Sequence, residues 1–247
     1  MKFVVTAGPT REYLDPVRFL SNPSTGKMGF AVARAAVRAG HRAILVSGPT
    51  ALATPKGAER VDVVSARDML AAVRNALGDL SEPTALVMAA AVADWRPATC
   101  HRHKQKKSQM GGELKLVRNP DVLKTLARSR RFASRAGFVK IGFAAETGDP
   151  ATEAARKCRE KDLALVVAND VTAPGAGFGT DTNRVAFVTV DGAVRRLPLM
   201  SKDAVARRIV RFAAELAERD VHAPGKRKIA APDKVSRRRR CRPAEAQ

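Results

Sequence analysis

The stretch RFLSNPSTGKMG, residues 18–29, sets Arg18, Asn22, three hydroxyls (Ser21, Ser24, Thr25) and a Gly26-Lys27 pair directly ahead of the small-residue run FAVARAAVRAG. A guanidinium, an amide and hydroxyls beside the exposed N–H groups of a helix start are the equipment for holding an anion, and a phosphate is the natural guest. Ser24 or Thr25 could serve simply as a helix cap, but capping alone has no use for Arg18 and Asn22. The Gly-Lys pair invites comparison with a Walker A loop, which needs a Gly five residues ahead of Gly26 and a Ser or Thr after Lys27. Ser21 and Met28 stand there instead. A dinucleotide fingerprint fails as well, since only Gly26 and Gly29 are present.

A second chemical cluster is HRHKQKKSQMGGELKLVRNP, residues 101–120, with Lys104, Lys106 and Lys107 ahead of a Gly111-Gly112 hinge. Such a loop is either solvated or able to close over a polyphosphate, supplying charge where it develops. It lacks the aromatic residues that stack nucleic-acid bases. Asp94, at a strand end among cations, is a candidate metal or ribose ligand, or an ion-pair partner. Asp181 and Asn183, in GAGFGTDTNRV, read as part of a flexible glycine-rich turn. The four histidines show no metal-ligand spacing, and no Ser-His-Asp or Cys-His arrangement can be assembled. The chemistry implied is charge stabilisation on phosphates, with no nucleophile from the protein.

These groups need a frame. KFVVTA (2–7) reads as a buried strand, and residues 27–39 as a helix stopped at Gly40. RAILVSGP (42–49) and RVDVV (60–64) are strands, and Ser65 caps a helix over 66–78 with Asp68 in its first turn. TALVMAAAVAD (84–94) is the next strand. A helix follows from Asn119 as cap and Pro120 as first residue. Residues 138–146 and 163–170 are strands flanking a helix at 150–161. The segment 184–199 is a hairpin turning at Asp191-Gly192, and an amphipathic helix runs from Ser201 to about residue 219. The alternation predicts a three-layer open α/β fold with a mostly parallel, Rossmann-like sheet and a C-terminal antiparallel hairpin. In such sheets the site lies beyond the carboxyl ends of the strands, where TAGPTRE, AAVADWRP, FAAET and VANDV would converge.

The chain has 247 residues, 45% of them hydrophobic but only 4% aromatic, so Ala, Val and Leu must fill the core. No apolar run approaches the roughly 20 residues that span a bilayer. The apolar stretch in MKFVVTAGPT is too short for a signal peptide, so the chain reads as cytoplasmic. Three dispersed cysteines fit neither a disulfide framework nor a zinc site. The net charge is +21, of which residues 222–247, with nine Lys/Arg against two acids, hold +7. That tail reads as disordered, either a solvated appendage or an arm for nucleic acid or an anionic surface. The ordered body is thus residues 1–221.

Taken together, TAGPTRE, LDPVRFLSNPSTGKMGFAVA, LVSGPT, AAAVADWRP, KQKK, LVRNPDVL, GFAAET and VANDV occur in an order and spacing that resemble the phosphopantothenate–cysteine ligase family, from about residue 2 to 217. The resemblance implies that 4′-phosphopantothenate is joined to L-cysteine with CTP. The carboxylate becomes an acyl-cytidylate, pyrophosphate leaves, and the cysteine amine then displaces CMP. It implies that Asn22 acts at the acyl-cytidylate and that Lys104, first lysine of the K-x-K-K loop, serves formation of that intermediate. Arg18 matches the arginine of the same motif as Asn22. Asp94 matches the nucleotide-site aspartate near the Mg2+ and ribose, beside Ala90 and Ala91, where the backbone comes close to the ligand. Gly8, Ser24, Gly26, Ala144, Lys106 and Lys107 join the substrate- and nucleotide-binding set, and Phe178 matches a position near the base.

Many bacterial relatives carry a flavin-dependent decarboxylase in front of this unit; here the first strand begins at once, so a free-standing ligase without flavin is expected. Pro23 stands where relatives often have His. Family members are dimers, and the 184–199 hairpin is a plausible pairing surface. Two other classes compete: a nucleic-acid-binding protein using the basic loop and tail, and a dinucleotide-dependent reductase. The second is weakened by the missing glycine fingerprint and by LVSGPT, which lacks an acidic residue at the end of the second strand.

Overall fold

A run of six residues, all buried, can only be the middle of a sheet covered on both faces, and Lys2–Ala7 is such a run. The computed structural model describes residues 1–106, 111–132, 135–146, 151–170, 175, 177 and 179–222. Its elements are β1 (Lys2–Ala7), β2 (Arg11–Tyr13), β3 (Phe19–Ser21), α1 (Lys27–Arg38), β4 (Arg42–Ser47), β5 (Glu59–Asp62) and α2 (Ala66–Leu77). Then come β6 (Thr84–Met88), β7 (Trp95–Pro97), β8 (Leu116–Arg118), α3 (Val122–Ala127), β9 (Phe138–Glu146), α4 (Ala151–Glu160) and β10 (Leu165–Asp170). The chain closes with β11 (Thr182–Asn183), β12 (Val185–Thr189), β13 (Val194–Arg196), β14 (Met200–Ser201) and α5 (Lys202–His222).

The main sheet has eight strands in the order β13-β12-β10-β9-β6-β1-β4-β5. The strands from β5 to β10 run parallel, and β12 and β13 are antiparallel additions. From β1 the chain first builds outward to β4 and β5, then returns to the other flank of β1 at β6. The direction of winding therefore reverses between β1 and β6, and a crevice opens at their carboxyl ends. One apolar cluster packs α1 and α5 on one face, and a second packs α2, α3 and α4 on the other. This is the expected three-layer fold, with the hairpin turning at Asp191-Gly192 (φ 83° at Gly192).

Local signals account for most boundaries. Ser65 and Asp68 form a reciprocal capping box at the start of α2. Gly29 lets α1 lie directly on β1, because a Cβ there would stand 2.6 Å from both the Ala7 Cβ and the Thr6 carbonyl oxygen. Three expectations need correction. Asn119 does not cap α3; Asp121 does, accepting from the Lys124 N–H at 3.0 Å, and a carboxylate adds charge–dipole attraction that an amide lacks. Asn119 instead donates its amide to the Ala93 carbonyl at 2.9 Å. The strand expected to reach residue 94 leaves the sheet after Met88. The final helix extends to His222.

Three short ribbons, β2–β3, β7–β8 and β11–β14, lie outside the main sheet. The β7–β8 pair brackets the lysine-rich segment, so Lys104 and Lys106 sit on an arm with a paired base. Exposed apolar side chains gather around β2–β3 and β7–β8: Val17, Phe19, Trp95, Leu114 and Leu116; Val190 and Val194 are their counterparts on the hairpin. Among the described residues no helix is long and apolar enough to cross a membrane. Residues 223–247, which hold nearly all of the basic tail, lie outside the described residues, as do Lys107 and Phe178.

Candidate active site

At the crevice the segment after β6 is fastened to the end of β1 by a ladder of hydrogen bonds. The Ala90 N–H donates to Thr6 Oγ1 at 3.1 Å, the Ala91 N–H to the Gly8 carbonyl at 2.9 Å, and the Ala93 N–H to Thr10 Oγ1 at 3.0 Å. The loop before α1 joins them, since Asn22 donates its amide to the Ala91 carbonyl at 3.2 Å. Behind this junction three glycines let backbones cross. Gly8 (φ 74°) and Gly26 (φ 80°) adopt left-handed conformations, and a Cβ on Gly48 would fall 1.8 Å from the Pro9 carbonyl oxygen. Only glycine tolerates such approaches.

The result is a cavity of about 490 Å³. Asn22, Ser24 and Gly26 line it from the loop, and Ala90, Ala91 and Asp94 from the segment after β6. Ala144 contributes from β9. Gly8 lies behind the wall, supporting Gly26, whose Cβ would stand 3.2 Å from the Gly8 nitrogen. The capping role open to Ser24 and Thr25 is not used: the N-cap of α1 is Gly26, with no side-chain cap hydrogen bond and no acidic residue in the first turn. The helix therefore begins with N–H donors and a positive dipole end that no side chain of its own answers. Asp94 is exposed, and also lines a smaller cavity of about 200 Å³ with Phe143 and Asn119.

The sequence of this chain matches the DNA/pantothenate metabolism flavoprotein C-terminal domain over residues 1–216. The chain belongs to that family. It is 49% identical over 216 residues to the coenzyme A biosynthesis bifunctional protein CoaBC of Bacillus subtilis (strain 168), covering 87% of this chain and 51% of that protein. The chain thus spans about half the length of the curated relatives it matches. The crystal structure of the C-terminal domain of a CoaBC protein superposes with a TM-score of 0.71 at 44% identity, over 88% of this chain and 98% of that one. A Cab2 mutant in complex with phosphopantothenate-cysteine shares the fold, with a TM-score of 0.67 at 17% identity, over 90% of this chain and 87% of that one.

Not every residue expected to act lines the cavity of this flavoprotein C-terminal domain. Arg18 turns to Asp15, with Nε at 3.1 Å and Nη2 at 2.5 Å from Oδ2, and Nη2 also donates to the Gln105 carbonyl at 3.0 Å. Asp15 is buried and accepts further from the backbone N–H groups of Val17 and Arg18 at 2.9 Å and of Gln105 at 3.2 Å. The Arg18 guanidinium, helped by those N–H groups, holds the Asp15 carboxyl far below the usual carboxylate range. Together they tether the lysine arm at Gln105, between Lys104 and Lys106. Those two lysines are exposed and lie outside the cavity wall.

Sequence reasoning missed Lys157 and Lys202 as cavity residues and gave Lys27 no role beyond its place in the Gly26-Lys27 pair; all three line the cavity, as do Asn169 and Asn183. Lys202 is only 6% exposed, and burial together with the neighbouring Lys27 lowers its pKa, with Asp181 opposing. Asn169 and Asn183 are 9% and 3% exposed, and the Oδ1 atom of each is buried without a hydrogen-bond partner among the described residues. Buried amide oxygens are rarely left so unless a ligand or water completes them. Asn169 stood in the quoted VANDV motif, and Asn183 was read as part of a flexible turn. Nothing local marks Lys202 as more than the first residue of an amphipathic helix.

Proposed function

We propose that this chain is a cytoplasmic, CTP-dependent phosphopantothenate–cysteine ligase. The observation that carries the reading is one cavity, at the winding reversal of the sheet, that gathers Asn22, Ser24, Gly26, Ala90, Ala91, Asp94 and Ala144. The likeness to coenzyme A biosynthesis proteins supports it. In the first step a carboxylate oxygen of 4′-phosphopantothenate attacks the α-phosphorus of CTP and pyrophosphate leaves. The start of α1 with Ser24 offers donors to phosphate oxygens. Lys104, carried by the tethered arm, offsets charge on the α-phosphate, where an ammonium acts strongly once water is excluded. In the second step the cysteine amine attacks the acyl carbon and CMP departs with the acyl oxygen. Asn22, anchored to the Ala91 carbonyl, presents its amide to the acyl-cytidylate.

Mg2+ belongs to the same proposal as a companion of CTP. Among the described residues no group of three His, Cys, Asp or Glu side chains could hold a metal. That suits an ion bound largely through nucleotide phosphates, with Asp94 as its one protein carboxylate. Bound there, it would neutralise phosphate charge. The reading requires no flavin. A homodimer is part of it too, with the apolar face around Val17, Phe19, Trp95 and Leu116 as the surface to test by sedimentation.

The decisive assay supplies CTP, Mg2+ and 4′-phosphopantothenate. A burst of about one pyrophosphate per site is expected without cysteine, and steady turnover with it. Absence of CTP-dependent pyrophosphate release would refute the reading. Saturable NAD(P)H binding, or salt-steep affinity for nucleic acid, would then point to the competing classes.

A further inference from the structure

Two ammonium groups hold one segment of the chain across the cavity. Lys27, the first residue of α1, donates from Nζ to Asp181 Oδ1 at 2.7 Å and to the Gly179 carbonyl at 3.0 Å. Lys202, the first residue of α5, donates from Nζ to the carbonyls of Gly177 at 2.9 Å and Thr180 at 2.6 Å. Its backbone N–H reaches the Asp181 carbonyl at 2.9 Å. Both lysines line the main cavity and also a neighbouring one of about 450 Å³ formed with Arg34, Asp181 and Asp203. The Lys27–Asp181 ion pair stands where the two cavities meet.

This placement breaks a local rule. The first turn of a helix favours anions, because the peptide dipoles leave positive charge there, yet α1 opens with Lys27 and has no acid in its first turn. α5 opens with Lys202, followed by Asp203, which pairs with Arg34 at 2.7 Å, and by the Ala204 N–H, which donates to Ser201 Oγ at 3.2 Å. The unanswered start of α1 and two ammonium groups thus converge on one spot. The carboxylate that answers Lys27 belongs to Asp181, whose side chain is 87% exposed and therefore weakly held. The orphaned Oδ1 atoms of Asn169 and Asn183 belong to the same cavity wall. Violations of local preference that gather in one place are expected where a ligand repays them.

We propose that Lys27 and Lys202 are polyphosphate-binding residues, and that Asp181 is a resident anion which a phosphate group displaces. The inference rests on the ligase reading for the source of the polyphosphate, the triphosphate of CTP or the pyrophosphate it releases. A phosphate group outcompetes the carboxylate because it carries more charge and more acceptor oxygens. Once Asp181 lets go of Lys27, the ion pair no longer stands between the two cavities, and Gly177 and Thr180 stay held by Lys202.

The test is calorimetric titration of the whole protein with inorganic pyrophosphate in Mg2+ buffer. Asp181→Asn removes the competitor and should tighten binding by about three- to fivefold, the worth of an exposed ion pair. Lys27→Met should weaken it by about tenfold or more, the loss of one charged hydrogen bond. In the double variant the tightening should vanish, since Asp181 acts through Lys27. Lys202→Met should also weaken binding, and Lys202→Arg should recover part of the loss. Circular dichroism checks each variant's fold. Asp181 and Lys27 are partly or largely exposed, so their two variants decide the matter even if Lys202→Met unfolds. Unchanged or weaker binding by Asp181→Asn overturns the proposal, as does equal tightening in the Lys27→Met background. Pyrophosphate release from CTP is followed in parallel on the parent. Release without the Asp181 shift sinks this inference alone; the shift without release sinks the ligase reading and leaves the anion exchange standing.

Discussion

Replacing Gly29 by Ala separates what sequence rules expect from what the packing demands. Gly29 lies inside α1 with a backbone that any residue can adopt, and an open helical site would gain about 0.8–1.0 kcal/mol from the exchange. Here the new methyl would stand 2.6 Å from the Ala7 Cβ and 2.6 Å from the Thr6 carbonyl oxygen. Carbon contacts are comfortable only from about 3.5 Å, so α1 must retreat from β1 by about 1 Å. Overpacking of this kind costs about 1–3 kcal/mol, and backbone cannot swing aside as a side chain does, which places the cost near the top of that range. A net loss of about 2 kcal/mol is expected, read as a lower urea midpoint at unchanged slope. The same retreat carries the start of α1 away from Ala90 and Ala91. A misplacement of about 1 Å can cost on the order of 10²-fold in turnover. A Gly29→Ala protein as stable as its parent, or more stable, would show that α1 does not bear on β1 as described.

Three further substitutions probe the site. Lys104→Gln should lower acyl-cytidylate formation by roughly 10²–10³-fold, whereas Lys106→Gln should have a small effect; equal modest losses from both would reduce the arm to a diffuse field. Asn22→Asp loses the donation to Ala91 and sets a negative charge beside the developing oxyanion. The intermediate should therefore accumulate and react slowly with cysteine, and single-turnover mass spectrometry that finds no intermediate despite CTP binding would contradict that order of events. Asp15 has a folded-state pKa below its unfolded value, so its contribution is complete above the ordinary carboxylate range and fades only as pH falls through the folded value. Hydrogen exchange of the Gln105 amide should stay slow at pH 4.5 in the parent and be fast there in Asp15→Asn; equal protection in both would dissociate Asp15 from the arm.

The main sheet was legible because its strands are continuous apolar runs between clear punctuation, as with KFVVTA before Gly8-Pro9 and RAILVS before Gly48. The ribbons were not. REY against FLS and WRP against LVR are three-residue strands without alternation, and their pairing is settled by the elements beneath them. Asn22, Ser24 and Asp94 could be placed because strand ends and one helix start must meet at the crevice, whereas Gly26 and the three alanines entered through the family resemblance and line the same cavity. The Arg18 tether could have been read and was overlooked. Asp15-Pro16-Val17-Arg18 has the Asp and Pro of a type I turn, in which the carboxylate accepts the N–H groups two and three residues on. Asn169 was marked only by the strand end VANDV, and Lys202 and Asn183 carry no such mark, because their burial depends on elements far away in the chain.

The bridge from Lys27 to Asp181 ties positions 154 apart, and α1 shares its core with Val205, Ile209 and Ala213 of α5. A ribosome adding about 5–20 residues per second needs about 8–30 seconds to travel from one partner to the other. For that interval the apolar stripe of α1 has no lid, although most of the parallel strands have already emerged. Until Asp181 and then α5 have followed, the Lys27 ammonium and that stripe lack the partners that complete them, so the site is assembled only after the chain has been made through α5.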